Sequence, residues 1–284
     1  MRENFTLFGY TMLIVFFALS TAFYAVLLWL FTLFPIWIIP AITALRPGNA
    51  VPIVCSLLWG PAASWGTAFG NLIGFDIMGG ALTLGSIGGF VGNWIMGFLP
   101  YFTWHKVFAE EPHCRSITSL AKFEATNLLH SSACGMVISL WLELIGFVPF
   151  AFLSIIITFN NFLHTLFISP VLMGIFYPRV KRMGWLWTDF MREYSYTAEK
   201  TPKLTLIGYG LIWIGWVIGN LICIGLGLAV FGQLNPFGTG GWTFAAPAFS
   251  LVNPLFLVGL LFSLIAIVGI ALMEFGGKWR KTPS

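Results

Sequence analysis

Charge is the scarcest ingredient of this 284-residue sequence: Asp, Glu, Lys and Arg together make up 8%. A soluble domain carries about 25%. A globule with so few charges would lack a water-facing surface. That excludes a soluble enzyme, a disordered chain and a nucleic-acid-binding domain. Cysteine is scarce too. Cys55, Cys114, Cys134 and Cys223 are far apart and form no C-x-x-C pair. Neither a disulfide framework nor a zinc site is expected, and the four read as small buried hydrophobes. No G-x-S-x-G, H-E-x-x-H or Walker A sequence occurs, so ATP hydrolysis by this chain is not expected.

What is plentiful is apolar sequence: 58% of residues are hydrophobic and the mean hydropathy is +0.89. No charged residue falls in 4–45, 47–75, 77–105, 125–142, 144–178 or 204–273. A helix needs about 20 apolar residues to cross a bilayer core. The runs are continuous rather than alternating, which predicts helices and not barrel strands. The expected fold is all-α, a polytopic membrane helix bundle.

The first run, 7–34, is too long for a secretory leader and reads as a retained helix. Pro35 and Pro40 break it. The segment 49–60 is only about 18 Å long as a helix, too short to cross alone. Gly60-Pro61 then punctuates the chain before a second short helix running to about residue 75. Further helices are expected over 85–104, 122–144, 148–177, 204–231 and 251–275. This divides the chain into a six-helix unit (1–182), a basic linker (183–203) and a two-helix hairpin with its tail (204–284).

The basic residues predict orientation. Arg179, Lys181, Arg182, Arg192, Lys200 and Lys203 mark one loop, Lys278, Arg280 and Lys281 the tail, and Lys106, Arg115 and Lys122 another loop. Counting spans puts all three regions on one side, the cytoplasmic side by the positive-inside rule, with the C-terminus there. The segment 49–75 can be a two-helix unit or one kinked span. These choices exchange the sides of Arg2 and Arg46, and either way 13 of the 14 basic residues are cytoplasmic.

Small residues recur at a spacing of four: Gly66, Gly70 and Gly74; Gly85 and Gly89; Gly88 and Gly92; Gly215 and Gly219; Ala18 and Ala22. Such stripes let helix backbones approach closely. Internal packing accounts for most of them. The Ala18–Ala22 stripe packs internally, which its spacing favours, or meets a partner protein.

Polar groups at membrane depth are costly and therefore candidates for function. Glu143, near Trp141, reads as a ligand for a cation or hydrogen-bond donor, or as an interfacial carboxylate. Asn127, His130 and His164 read as interhelical hydrogen bonders. Asn160, Asn161 and His164 lie mid-span. Asn71, Asn93 with its neighbour Trp94, Asp76, Arg46 and Asn49 are placed so that they could face one outer cavity for a small polar solute, or be unrelated interfacial and packing residues. Glu110-Glu111-Pro112-His113-Cys114-Arg115 fits the E-E-x-x-x-R pattern of CAAX-type membrane proteases. It falls in a polar loop rather than on a membrane helix, and His130 and His164 do not follow that family's spacing.

The stretch from Arg46 to Asp76, with its short helix, Gly-Pro turn and Gly-rich second helix, resembles the S components of energy-coupling-factor (ECF) transporters. Gly89-Phe-Val-Gly-Asn93 matches the Gly-x-x-x-Asn stretch common in the next helix of that family, and Ala18 and Ala22 match the Ala-x-x-x-Ala of its first helix. The resemblance covers about residues 5–182. It implies a non-enzymatic membrane subunit that binds a micronutrient, such as a vitamin or modified-base precursor. The ligand would sit near the outer surface, under the first loop and between the fourth, fifth and sixth helices. Ala18 and Ala22 would meet a transmembrane coupling protein that works with two ATPase subunits, and the subunit would topple to release its ligand. The expected ligand-binding residues are Arg46, Asn49, Asp76, Asn93, Trp94, Glu143 and Asn161, with no cofactor. Metal-specific members carry a His after the start Met, where this chain has Arg2. The rival reading is an intramembrane enzyme using Glu110, Glu111, His130 and His164. The C-terminal pair of helices with its 233–250 loop is a candidate lid over the outer cavity, a packing hairpin or a partner-docking element.

Overall fold

The computed structural model describes residues 1–34, 37–39, 43–44, 46–108, 110–192, 201–230, 232 and 253–276. These residues form an all-α membrane-embedded bundle. Two helical turns, α1 (Glu3–Thr6) and Leu7–Gly9, precede α2 (Thr11–Leu33). A small antiparallel ribbon of β1 (Trp37–Ile39) and β2 (Thr43–Ala44) follows. The short helices α3 (Val51–Trp59) and α4 (Pro61–Asn71) come next, then α5 (Gly85–Val107), α6 (Ile117–Leu144) and α7 (Phe150–Arg182). A helical turn, α8 (Trp187–Phe190), leads to α9 (Lys203–Trp213), which continues through Ile214–Ile218 into α10 (Gly219–Ala229), and α11 (Pro254–Gly276) closes the order. Among the described residues four helices are long and apolar enough to cross a membrane: Thr11–Leu33, Phe150–Phe190, Lys203–Ala229 and Pro254–Gly276. The proposed lid loop, Lys200, Lys278, Arg280 and Lys281 lie outside the described residues.

Between Asn49 and Phe75 the chain folds as two short helices and not as one kinked span. Gly60 has φ +52°, a backbone state that a side chain resists. A Cβ there would also stand 2.6 Å from the Trp187 ring, so both conformation and space demand glycine. Trp187 lies just past the end of α7, so α3 descends toward that side. The return helix α4 lies against α5, with Thr67 beside Gly97 and Asn71 beside Gly89. It therefore climbs back as α5 descends. Ser56 of α3 is inserted into the α5 ladder near Pro100: its Oγ accepts from Tyr101 N (3.1 Å) and donates to Gly97 O (2.6 Å). The hydroxyl thereby satisfies backbone groups at a helix proline.

Ion pairs gather the basic loops, the N-terminus and the end of α11 on one side. The N-terminal amine pairs with Glu3 and Glu274, Lys106 with Glu274 (3.0 Å), Lys122 with Glu110 (2.9 Å) and Lys181 with Glu111. Arg2 is thus on the side of the basic loops, and Arg46 and Asp76 are on the opposite side.

The glycine stripes meet neighbours at backbone distance. On α4 and its continuation, Gly66 faces Ser20, Gly70 faces Tyr24 and Gly74 faces Ala25. Gly88 and Gly92 face Trp141 and Ile138 of α6, while Gly215 and Gly219 receive Ala266 and Phe262 of α11. Ala18 and Ala22 are exposed on α2. The internal packing that their spacing favours is made instead by Ser20, Tyr24 and Ala25. The hairpin of α9, α10 and α11 docks on α6 and α7: Ser154 Oγ donates to Asn220 Oδ1 (2.6 Å), and Gly259 abuts Leu140.

Candidate functional site: a two-walled cavity

A cavity of about 340 Å³ lies at the end of the bundle away from the basic loops. One wall is polar. It carries Tyr24 from α2, Arg46 and Asn49 from the first connection, Asn71 and Asp76 from α4 and its continuation, and Ser86 and Asn93 from α5. The other wall is mainly apolar and comes from α6 and α7: Ile138, Leu142, Phe152, Leu153, Ile156 and Ile157. Asn160 and Asn161 also line it. The packing described above explains why these groups converge. Close approach of α2 and α4 sets Tyr24 against Gly70, and the α4–α5 contact sets Asn71 against Gly89, so all three helices present polar groups to one cavity.

The floor is a chain of hydrogen-bonding groups. The Tyr24 hydroxyl is 2.9 Å from Asn93 Oδ1 and 3.2 Å from Asn49 Oδ1. Asn49 Nδ2 donates to Asn161 Oδ1 (2.7 Å), and Asn93 Nδ2 donates to Gly89 O (2.8 Å). Four elements are joined in this way: α2, the turn before α3, α5 and α7. The α7 hydroxyls of Thr165 and Ser169 hold the same turn by donating to the carbonyls of Asn49 (3.1 Å) and Ala50 (2.8 Å). Buried polar groups so connected are rigid and specify one arrangement.

Nearer the mouth, Asp76 accepts from Asn71 Nδ2 (3.1 Å) and from Ser86 Oγ (2.9 Å), one at each carboxylate oxygen. It is 4% exposed. Arg46 is half-buried, with its guanidinium carbon 4.5 Å from the centre of the Phe75 ring. Among the described residues no ion pair joins it to Asp76. Burial pulls the Arg46 pKa below its ordinary value, and nearby Tyr24 and Asp76 oppose that shift.

Of the residues singled out from sequence, the cavity brings together Arg46, Asn49, Asp76, Asn93 and Asn161, and Asn71 as well. Trp94 and Glu143 lie elsewhere. Trp94 stacks on Phe98 at 4.9 Å and meets Trp65 edge-on, on the α4 side of α5. Glu143 is buried with its carboxylate engaged by the fold. It accepts from Phe150 N (2.7 Å) at the start of α7 and from Asn253 Nδ2 (2.8 Å) just before α11. Tyr24, Ser86 and the apolar wall were not anticipated, and Asn160, a mid-span polar residue in the sequence, is not among the expected ligand-binding residues.

Glu110 and Glu111 are held by Lys122 and Lys181 at the basic side. His130 lies eight residues beyond Lys122 on α6, about 12 Å along the axis at 1.5 Å per residue. His164 Nδ1 is 2.6 Å from the carbonyl of Asn160. Among the described residues no group of three or more His, Cys, Asp or Glu is placed to hold a metal ion. No family model, curated protein or solved structure matches the chain.

Proposed function

We propose that this protein is the membrane substrate-binding subunit of an ECF-type importer for a small micronutrient, a vitamin or modified-base precursor. The carrying observation is the cavity that gathers Arg46, Asn49, Asp76, Asn93 and Asn161 at the end of the bundle away from the basic loops. Its combination of an apolar wall and a few convergent polar groups is that of a small-molecule site. By the positive-inside rule this end is extracellular and the C-terminus is cytoplasmic. The lining elements also fit the resemblance: the first connection lies at the mouth, and α5, α6 and α7 correspond to the fourth, fifth and sixth helices. Ala18 and Ala22, exposed on α2, are available to a coupling protein. Transport would draw on that protein and its ATPases, with no covalent chemistry in this chain.

The test is native mass spectrometry after mild solubilisation, with identification of the retained small molecule. The expected result is a single organic ligand in the wild type that Asn49→Leu and Asn161→Leu lose while remaining folded. Tagged protein taken from its native membrane should carry the coupling protein and ATPases with it. A wild type that retains nothing and is not stabilised by any member of a vitamin panel would refute the binding role. Retained ligand without ATPase partners would refute the ECF assignment alone. If Glu110→Ala and Glu111→Ala abolish function in folded protein, the rival enzyme reading takes its place.

A further inference from the structure

Arg46 differs from the hydrogen-bonded polar groups around it in the cavity wall. Tyr24, Asn49, Asn93 and Asn161 are tied into the floor, and both oxygens of Asp76 accept hydrogen bonds from Asn71 and Ser86. The Arg46 guanidinium has no hydrogen-bonding partner among the described residues, and its carbon lies 4.5 Å from the centre of the Phe75 ring. A guanidinium presents five N–H donors in a rigid fork and stays charged at all ordinary pH values. Held at a cavity mouth with its donors unengaged, it is complementary to a planar anion that can take two parallel hydrogen bonds.

From this geometry we infer that the ligand is an acid whose single carboxylate docks on Arg46, with its less polar body against the α6–α7 wall. This rests on the reading of the cavity as a ligand site. The charge count selects carboxylate over phosphate. Arg46 is the one cationic residue lining the cavity among the described residues, and Asp76 lines it too. A monoanion leaves the site with one negative charge beyond neutrality, and a phosphate dianion would leave two. The α6–α7 wall has Ile138, Leu142, Phe152 and Ile156 over most of its area and no second cation to meet the further charge of a phosphate. It suits an aromatic or aliphatic body.

The probes are matched acid and amide pairs of the same shape: nicotinate with nicotinamide, 4-aminobenzoate with 4-aminobenzamide, and indole-3-acetate with indole-3-acetamide. Binding is measured by thermal stabilisation of the full-length protein in nanodiscs, alongside identification of any retained ligand. At least one acid should bind, with its amide at least tenfold weaker. Arg46→Gln should abolish that preference and Arg46→Lys should restore it only in part, because the charge returns without the fork. Arg46 has no hydrogen-bonding partner among the described residues and Arg46→Gln loses only its contact with the Phe75 ring, so the variant should stay folded with an unliganded melting temperature close to the wild-type value. Equal binding of an acid and its amide, or a preference that survives Arg46→Gln, overturns the inference. So does a retained ligand that is neutral or cationic, and this leaves the binding role standing. If no ligand is retained and no pair binds the wild type, both the inference and the binding role fall.

Discussion

Replacing Gly74 by alanine tests the packing that builds the cavity. A Cβ at this position would lie 2.3 Å from the carbonyl oxygen of Ala25, 2.6 Å from its Cα and 2.8 Å from its carbonyl carbon. All three are backbone atoms, so no side-chain rotation can relieve the clash. The α2 helix and the α4 extension must separate. Overpacking of this kind costs about 1–3 kcal/mol. Alanine's gain in helix propensity, up to about 1 kcal/mol, offsets part of it. The internal control is Gly174→Ala on α7, where a Cβ would meet nothing within 4 Å. That change should be neutral or stabilising by up to about 1 kcal/mol. Both variants would be unfolded in mixed micelles with increasing SDS, followed by tryptophan fluorescence. Separation of α2 from α4 also moves Tyr24 away from Gly70 and from its carboxamide partners Asn49 and Asn93, so Gly74→Ala should retain less ligand even when folded. Equal stabilities of the two variants would refute the close α2–α4 approach and the cavity geometry that depends on it.

Glu143→Ala should destabilise the protein by about 1.5–3 kcal/mol, the range for lost hydrogen bonds to a charged group, because Phe150 N and Asn253 lose their acceptor. Ligand retention per folded molecule should not change, and a selective loss of ligand would return Glu143 to the site. Glu274→Gln should loosen the docking of α11, because Lys106 is 2% exposed and loses its charged partner. Limited proteolysis near α11 would reveal this, and wild-type resistance would contradict it. For orientation, Leu82→Cys should react with an impermeant maleimide added to intact cells, and Arg182→Cys only after permeabilisation. Background from the native cysteines should be low: three are buried, and burial pushes the Cys114 thiol up to about 12. The reverse pattern would invert the topology.

The helices were legible because uncharged runs of spanning length have few alternatives in a bilayer. Most of the polar wall was legible for a related reason, since asparagine and arginine at such places need a cause. Directions around each helix were not. Trp94 follows Asn93 in sequence, yet successive helical residues point about 100° apart, and this turns the indole toward Trp65 and away from the cavity. The same rotation separates exposed Ala18 and Ala22 from Ser20 and Tyr24, which meet α4. Glu143 was misleading because its task is set seven residues later. The N-cap of α7 is Pro149, which has no side-chain acceptor, so a remote carboxylate serves the open N–H of Phe150. Tyr24 could have been singled out, with Ser20 and Thr21, among the hydroxyls in the middle of a mostly apolar helix.

The Tyr24 hydroxyl has one proton and two carboxamide oxygens within its reach. At any instant it can serve one of them, and the other keeps a lone pair open to a second donor. A guest that brings its own N–H or O–H can take that position and let Tyr24 settle on the remaining partner. The floor therefore has two proton arrangements of similar geometry and can accommodate a donor from the Asn49 side or the Asn93 side without moving a backbone atom. Such tolerance would admit close chemical relatives of a ligand that present their donor at different ring positions.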